Sequence, residues 1–225
     1  MTRLLQLLSF VLLMTFNIAC AEEETPQPAA PDQGRAIEEG RDFHRVLPVQ
    51  PTSTAPGNVE VLEFFWYGCP HCYQAEPHIE KWRQDLPEGV VFRRVPATLN
   101  RGWAMMSQAY YAAEMLGVLD TMHAAFFAAF HESNTRLANE DQLAAYFEEK
   151  AGVEEAAFRE AFNSMQVSSR VQRADMLSRR YRIAGVPTMT VNGKFVTDPE
   201  LAGSYRKMVD TVDVLAQRER QGQAE

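Results

Sequence analysis

The 225-residue chain is 46% hydrophobic and 23% charged, enough apolar content for one sizeable core and too much for a disordered protein. Its formal charge of -8 argues against a general nucleic-acid or anionic-membrane binder. Three cysteines are too few for a disulfide framework.

The first residues, 1–21, read as an export signal. Met1-Thr2-Arg3 supplies one positive charge, Leu4 to Ile18 an apolar stretch, and Ala19-Cys20-Ala21 a small-x-small cleavage site. The stretch is short for a membrane-anchoring helix, which is the weaker alternative. Cys20 opens a second reading, because bacterial lipoproteins are acylated on a cysteine that follows a lipobox. Here that box is Asn17-Ile18-Ala19-Cys20, with Asn17 where Leu is usual. Cleavage after Ala21 is favoured over a lipid anchor on Cys20, and either route leaves the mature chain in an oxidising, extracytoplasmic space. Residues 22–40, with Pro26, Pro28, Pro31 and clustered Glu, read as a solvated linker.

Folding is expected from about Arg41. Asp42 to Leu47 suits an edge strand, followed by a Pro/Thr/Ser turn over 48–57. Val59 to Tyr67 is rich in β-branched and aromatic residues and reads as a buried strand ended by Gly68. A helix begins at Cys69, with Pro77 expected to kink it, and Val90 to Val95 forms the next strand before Pro96. Helical segments follow at Ala104 to Leu116, Val118 to His131, Asn139 to Lys150 with Asn139 as N-cap, Glu154 to Met165, and Ser168 to Ile183. Their Met, Phe and Ala residues could line a ligand pocket, but ordinary helix packing is the better reading. Strands return at Pro187 to Val191 and Lys194 to Val196, around Asn192-Gly193, the strongest hairpin signal in the chain. A last amphipathic helix runs from about Ser204 to Ala216. The fold class is α/β, with sheet-forming parts at 41–98 and 176–225 and a helical insertion over 99–175.

Cys69-Pro70-His71-Cys72 places two thiols one helical turn apart, directly after an apolar strand, which is the layout of a redox pair. Unpartnered N–H groups and the macrodipole at the helix N-terminus favour a Cys69 thiolate. Pro70 suits the first helical position, where a missing N–H costs nothing. Protonated His71 adds a positive charge beside the sulfur. A stabilised thiolate stabilises the reduced form, so the pair should act as an oxidant. Zinc needs four ligands, and no second Cys or His pair stands at suitable spacing; His78 alone is more often a solvated or packed side chain.

Val61-Leu62-Glu63-Phe64-Phe65, Cys69-Pro70-His71-Cys72-Tyr73, the inserted helices, Gly185-Val186-Pro187-Thr188 and Val191-Asn192-Gly193 together resemble the DsbA family of bacterial thiol:disulfide oxidoreductases, from about residue 40 to the C-terminus. The resemblance implies a thioredoxin-like mixed sheet with an inserted α-helical domain and a redox-active Cys69-Cys72 disulfide, with no other cofactor and no metal. It identifies Pro187 with the family's cis-proline beside the disulfide, where the residues alone favour a trans bond. Val186 matches the residue whose backbone pairs with an extended substrate. Glu63, which would otherwise be a solvated edge residue, matches a glutamate that moves protons to or from the buried thiol. The family often sets a lysine near this acid; the comparable strand here reads Val91-Phe92-Arg93-Arg94, with no lysine to align. The implied activity is donation of the disulfide, by a monomer in the periplasm, to unfolded exported proteins with free cysteines, followed by reoxidation by a DsbB-type quinone-linked membrane partner. Two alternatives stand beside it. One is a same-fold reductase or isomerase, although isomerases usually carry a dimerisation domain absent here; the other is a metallochaperone holding Cu(I) on two soft thiolates.

Overall fold

Five strands, His44–Arg45 (β1), Val59–Phe65 (β2), Val90–Pro96 (β3), Thr188–Val191 (β4) and Phe195–Thr197 (β5), form one mixed sheet of order β1-β5-β4-β2-β3 in a computed structural model that describes residues 36–223. β2 and β3 run parallel, and the remaining pairs are antiparallel. The helices are Pro70–Gln84 (α1), Ala104–Met115 (α2), Leu119–His131 (α3), Glu140–Ala151 (α4), Glu155–Phe162 (α5), Met165–Arg180 (α6), Pro199–Ala202 (α7) and Tyr205–Gln223 (α8). Helices α2 to α6 therefore lie between β3 and β4. The leader, Cys20 and residues 22–35 of the linker lie outside the described residues. Ile37 packs on the core, so the fold includes residues ahead of Arg41.

All seven residues of β2 are buried, because both faces of the strand are covered. Side chains alternate along it. Val59 and Val61 pack with Ala75 and Ile79 of α1 and Met208 and Val212 of α8, whereas Leu62 and Phe64 pack with Ala174 of α6, Tyr181 and Ile183. A third cluster joins the inserted helices to the end of β2: Met106, Tyr110, Phe126, Phe127, Phe147 and Phe158 share it with Phe65, Tyr67 and Cys72. Each fully buried Phe there stabilises the fold by about 1.5–3 kcal/mol. Most of the Phe and Ala residues of the insertion, with Met106 and Met122, are thus core, whereas Met115 and Met165 are exposed.

Local signals explain most boundaries. Asn192 and Gly193 have φ of 51° and 70°, the left-handed pair that matches strand twist in a tight hairpin. A Cβ on Gly193 would stand 2.0 Å from the Gln50 carbonyl oxygen, so only glycine fits. Asn139 caps α4 by accepting from Gln142 N at 2.9 Å. The next break differs from the expected one. Ser164 Oγ accepts from Val167 N at 3.1 Å, so α6 starts at Met165 rather than Ser168, and α5 ends at Phe162. α7 is an unanticipated element, capped by Asp198 on Leu201 N at 2.8 Å with Pro199 in its first turn. β1 is shorter than expected, His44–Arg45, although Val46 N still donates to Lys194 O at 2.7 Å and Gln50 N to Gly193 O at 2.9 Å. α1 continues through Pro77 to Gln84.

Candidate redox site

β2 delivers the chain to the site. After Phe65 the residues Trp66-Tyr67-Gly68 turn into α1, and a Cβ on Gly68 would meet the Trp66 indole at 2.4 Å. That indole stacks on Trp103 with centroids 4.4 Å apart. Cys69 N donates to Trp66 O at 3.0 Å, and Tyr73 N donates to Cys69 O at 3.1 Å, so Cys69 is the N-cap and Pro70 takes the first helical position. Cys69 is half-buried, Cys72 is fully buried, and both are free thiols.

The two thiols are displaced in opposite directions. Cys69 is lowered from 9.0 to about 6, foremost by the hydrogen bond from the Cys72 thiol, which works against burial; the backbone N–H groups of Cys72 and His71 and the His71 charge add to it. The partner thiol therefore outranks the N–H groups and His71 on which the sequence reading relied. An S–H aimed at a thiolate is a charge-assisted hydrogen bond. Burial pushes the Cys72 thiol far up, with the Cys69 hydrogen bond and charge adding.

Around the pair, Cys69 Sγ lies 3.4 Å from Val186 O, and the Val186–Pro187 peptide is cis. His71 is exposed, and its Nδ1 lies 2.8 Å from the Tyr205 hydroxyl at the start of α8. Tyr205 donates its one hydroxyl hydrogen to Gln74 Oε1 at 2.8 Å, so the Tyr205 oxygen accepts from His71 Nδ1–H. A groove of about 910 Å³ opens beside them, walled by Ile183, Val186, Pro187, Thr188 and Tyr205.

On the α1 side of the sheet, Glu63 is fully buried and stands opposite Arg94 in the β2–β3 register. Arg94 Nε donates to Glu63 Oε2 at 3.1 Å, and its Nη2 reaches Glu76 Oε1 at 2.7 Å and also Glu80. Burial raises Glu63 from 4.5 to about 8 despite the pull of Arg94, with the charges of Glu76 and Glu80 adding. Burial also opposes ionisation of Glu80, yet hydrogen bonds from Arg83 and Arg94 hold it at about 2. The charge of Glu63 is among those acting on the Cys72 thiol. Glu63 is therefore no solvated edge residue, and Arg94 stands where a lysine was sought; Arg93 faces the other side and pairs with Glu60.

The insertion reaches this cluster through α3. His123 Nδ1 lies 2.9 Å from the Tyr67 hydroxyl and Nε2 3.0 Å from Glu76 Oε1, while His131 Nε2 donates to Tyr67 O at 2.7 Å. Sequence reading missed Glu76, Glu80, His123 and Tyr205. Glu76 and Glu80 had a signal, since a spacing of four puts them on one face of α1. His123 and Tyr205 had none, because their partners are distant in sequence.

A family model described as DSBA-like thioredoxin domain matches residues 60–206. The chain is 40% identical over 187 residues to the thiol:disulfide interchange protein DsbA of Azotobacter vinelandii, covering 83% of this chain and 86% of that relative. It is 36% identical over 181 residues to the protein of the same name from Pseudomonas aeruginosa, covering 80% and 85%. A crystal structure of Pseudomonas aeruginosa DsbA superposes with a TM-score of 0.78 at 35% identity, over 83% of this chain and 96% of that one. The oxidoreductase DsbA from Xylella fastidiosa gives 0.77 at 30% identity, over 82% and 98%.

Proposed function

The chain belongs to the DSBA-like thioredoxin domain family and is a thiol:disulfide oxidoreductase; from that premise we propose that it works as a disulfide donor, with Cys69 as the exchanging sulfur. The opposite displacement of the two thiols carries this reading. A substrate thiolate attacks Cys69 Sγ, the S–S bond breaks, and Cys72 leaves and takes up a proton. A second substrate thiolate attacks the substrate sulfur of the mixed disulfide, and Cys69 leaves as a stabilised thiolate. The substrate is oxidised by two electrons and the pair is reduced by two.

The remaining roles follow from position. Pro70 starts the helix without an unpaired N–H, and His71 places its charge at Cys69. Val186 offers backbone beside Cys69, and Pro187 walls the groove in which an extended substrate would lie. Glu63 holds or releases a proton near Cys72. The parts over 41–98 and 176–225 carry the pair and the groove, and the helices over 99–175 cover the buried thiol. The leader of residues 1–21 supports work on exported proteins in the periplasm, and a two-electron reduced pair needs an acceptor such as a quinone-linked membrane oxidase. The protein acts as a monomer.

The test is oxidation of a reduced, unfolded two-cysteine protein together with a glutathione titration. Wild type should transfer its disulfide and Cys69→Ser should lose transfer altogether; full activity in Cys69→Ser would overturn the assignment. A strongly reducing potential would point to the reductase, and tight Cu(I) retention without transfer to the metallochaperone.

A further inference from the structure

His123 lies in α3 of the insertion, 6% exposed, between Tyr67 and Glu76. The groups facing it are Tyr67 from the loop after β2, Glu76 and Glu80 from α1, Arg94 from β3 and Tyr110 from α2, with Phe65 and Phe127 covering the ring. An ionised Glu76 can only accept, so Nε2 carries the hydrogen of that bond; in a neutral ring Nδ1 then accepts the Tyr67 O–H. Burial lowers His123 below 6.5, against the hydrogen bond to Glu76, which keeps the ring neutral at neutral pH. The same Glu76 oxygen that His123 meets also meets Arg94, and among the described residues Arg94 is the one donor to Glu63.

We propose that His123 is a positioning residue for the thiol chemistry: through its Nε2–H it holds the Glu76 carboxylate against Arg94, and so places the helical insertion in control of the proton on Glu63, the acid that acts on Cys72. The inference rests on the thiol-exchange reading above. It adds that the insertion, beyond covering the site, supplies a hydrogen bond that sets its protonation. The charge of Glu76 is one of the causes that raise Glu63. Without His123 the Glu76 carboxylate loses one of its two donors among the described residues and is free to swing from Arg94 toward water, which carries its negative charge away from Glu63. Glu63 then ionises at lower pH.

The experiment follows the carboxyl ¹³C resonance of Glu63, assigned with Glu63→Gln, from pH 5 to 10 in the full reduced protein. His123→Leu should move the midpoint down from about 8 by about one pH unit, whereas His123→Gln, whose amide N–H can still reach Glu76, should stay within a few tenths. In a Glu76→Gln background His123→Leu should add no further shift. An unmoved midpoint in His123→Leu, or equal shifts in the leucine and glutamine variants, would overturn the proposal and leave His123 a packing residue. Should the leucine variant fail to fold, His123→Asn, too short to reach Glu76, takes its place against His123→Gln under the same criteria. Failure of disulfide transfer by wild type would instead strike the exchange reading itself, so the two failures are distinguishable.

Discussion

Glu60 and Glu63 lie three residues apart on β2, both buried and each paired with an arginine of β3, yet they face opposite sides of the sheet and have different surroundings. Glu60 Oε2 accepts from Ser53 N and Ser53 Oγ, each at 3.0 Å, and from Arg93, whose side chain is 42% exposed. Among the described residues Glu63 has Arg94 alone, a guanidinium whose side chain is 9% exposed and divided among three carboxylates, and its Oε1 has no partner. A nearby cation therefore does not by itself keep a buried carboxylate ionised. Burial of Glu63 outweighs a single guanidinium that three carboxylates divide.

The sharpest way to break this contrast is at the arginines. Arg94→Met leaves Glu63, Glu76 and Glu80 without their common cation and should cost about 3–5 kcal/mol in urea denaturation at pH 7. Arg93→Met removes a partly solvated cation from a carboxylate that keeps its Ser53 donors, and should cost about 1 kcal/mol or less. Equal losses would dissolve the distinction.

Next in size is the pH dependence. Because folding raises Glu63 from 4.5 to about 8, the native state holds a proton that the unfolded chain has released across that window. Its contribution to stability is complete below pH 4.5, falls as pH rises, and is lost above about 8. Glu63→Gln should abolish this decline, so its stability relative to wild type should improve steadily from pH 5 to 8. Glu60→Gln should instead be destabilised at pH 7, by about 1–3 kcal/mol, because the amide loses an acceptor for Ser53 or Arg93. Denaturation curves at four pH values would expose a same-signed response and refute the contrast.

The smallest expected effect concerns the thiols, which repeat the contrast in miniature: one has a donor and the other lies in apolar surroundings. Cys72→Ala removes the main donor to Cys69 and should raise its midpoint from about 6 by about one pH unit, read from thiolate absorbance near 240 nm. A midpoint that stays at about 6 would return the main role to the backbone N–H groups and His71.

Much of this was legible in the sequence because its causes are local. The β-branched run before Gly68, the Asn192-Gly193 hairpin and the Asn139 cap each act within a few residues, and the structure contains each feature. The missed boundary at Ser164 is also local: a run of helix-compatible residues hid a cap that breaks it. The charge circuit was illegible for a different reason. Whether Arg93 or Arg94 meets Glu63 depends on the parallel register of β2 and β3, in which a slip of one residue exchanges the faces. His123 is 47 residues from Glu76 and Tyr205 is 134 from His71, so only the folded chain brings them together.

Cys72 belongs to the apolar cluster that the insertion shares with the end of β2, while Cys69 stands half-open at the rim of the groove. In the proposed exchange a client protein is tethered covalently at the rim of this molecule and not within the apolar cluster. The bond to the client is carried by the outer sulfur and cut by the client's own second thiolate, while the inner sulfur stays a buried thiol, reachable by its neighbour and shielded from other thiols in solution. Release thus waits on the client's own second thiol, because the protein's spare thiol is kept in the part of the fold that unfolded clients cannot touch.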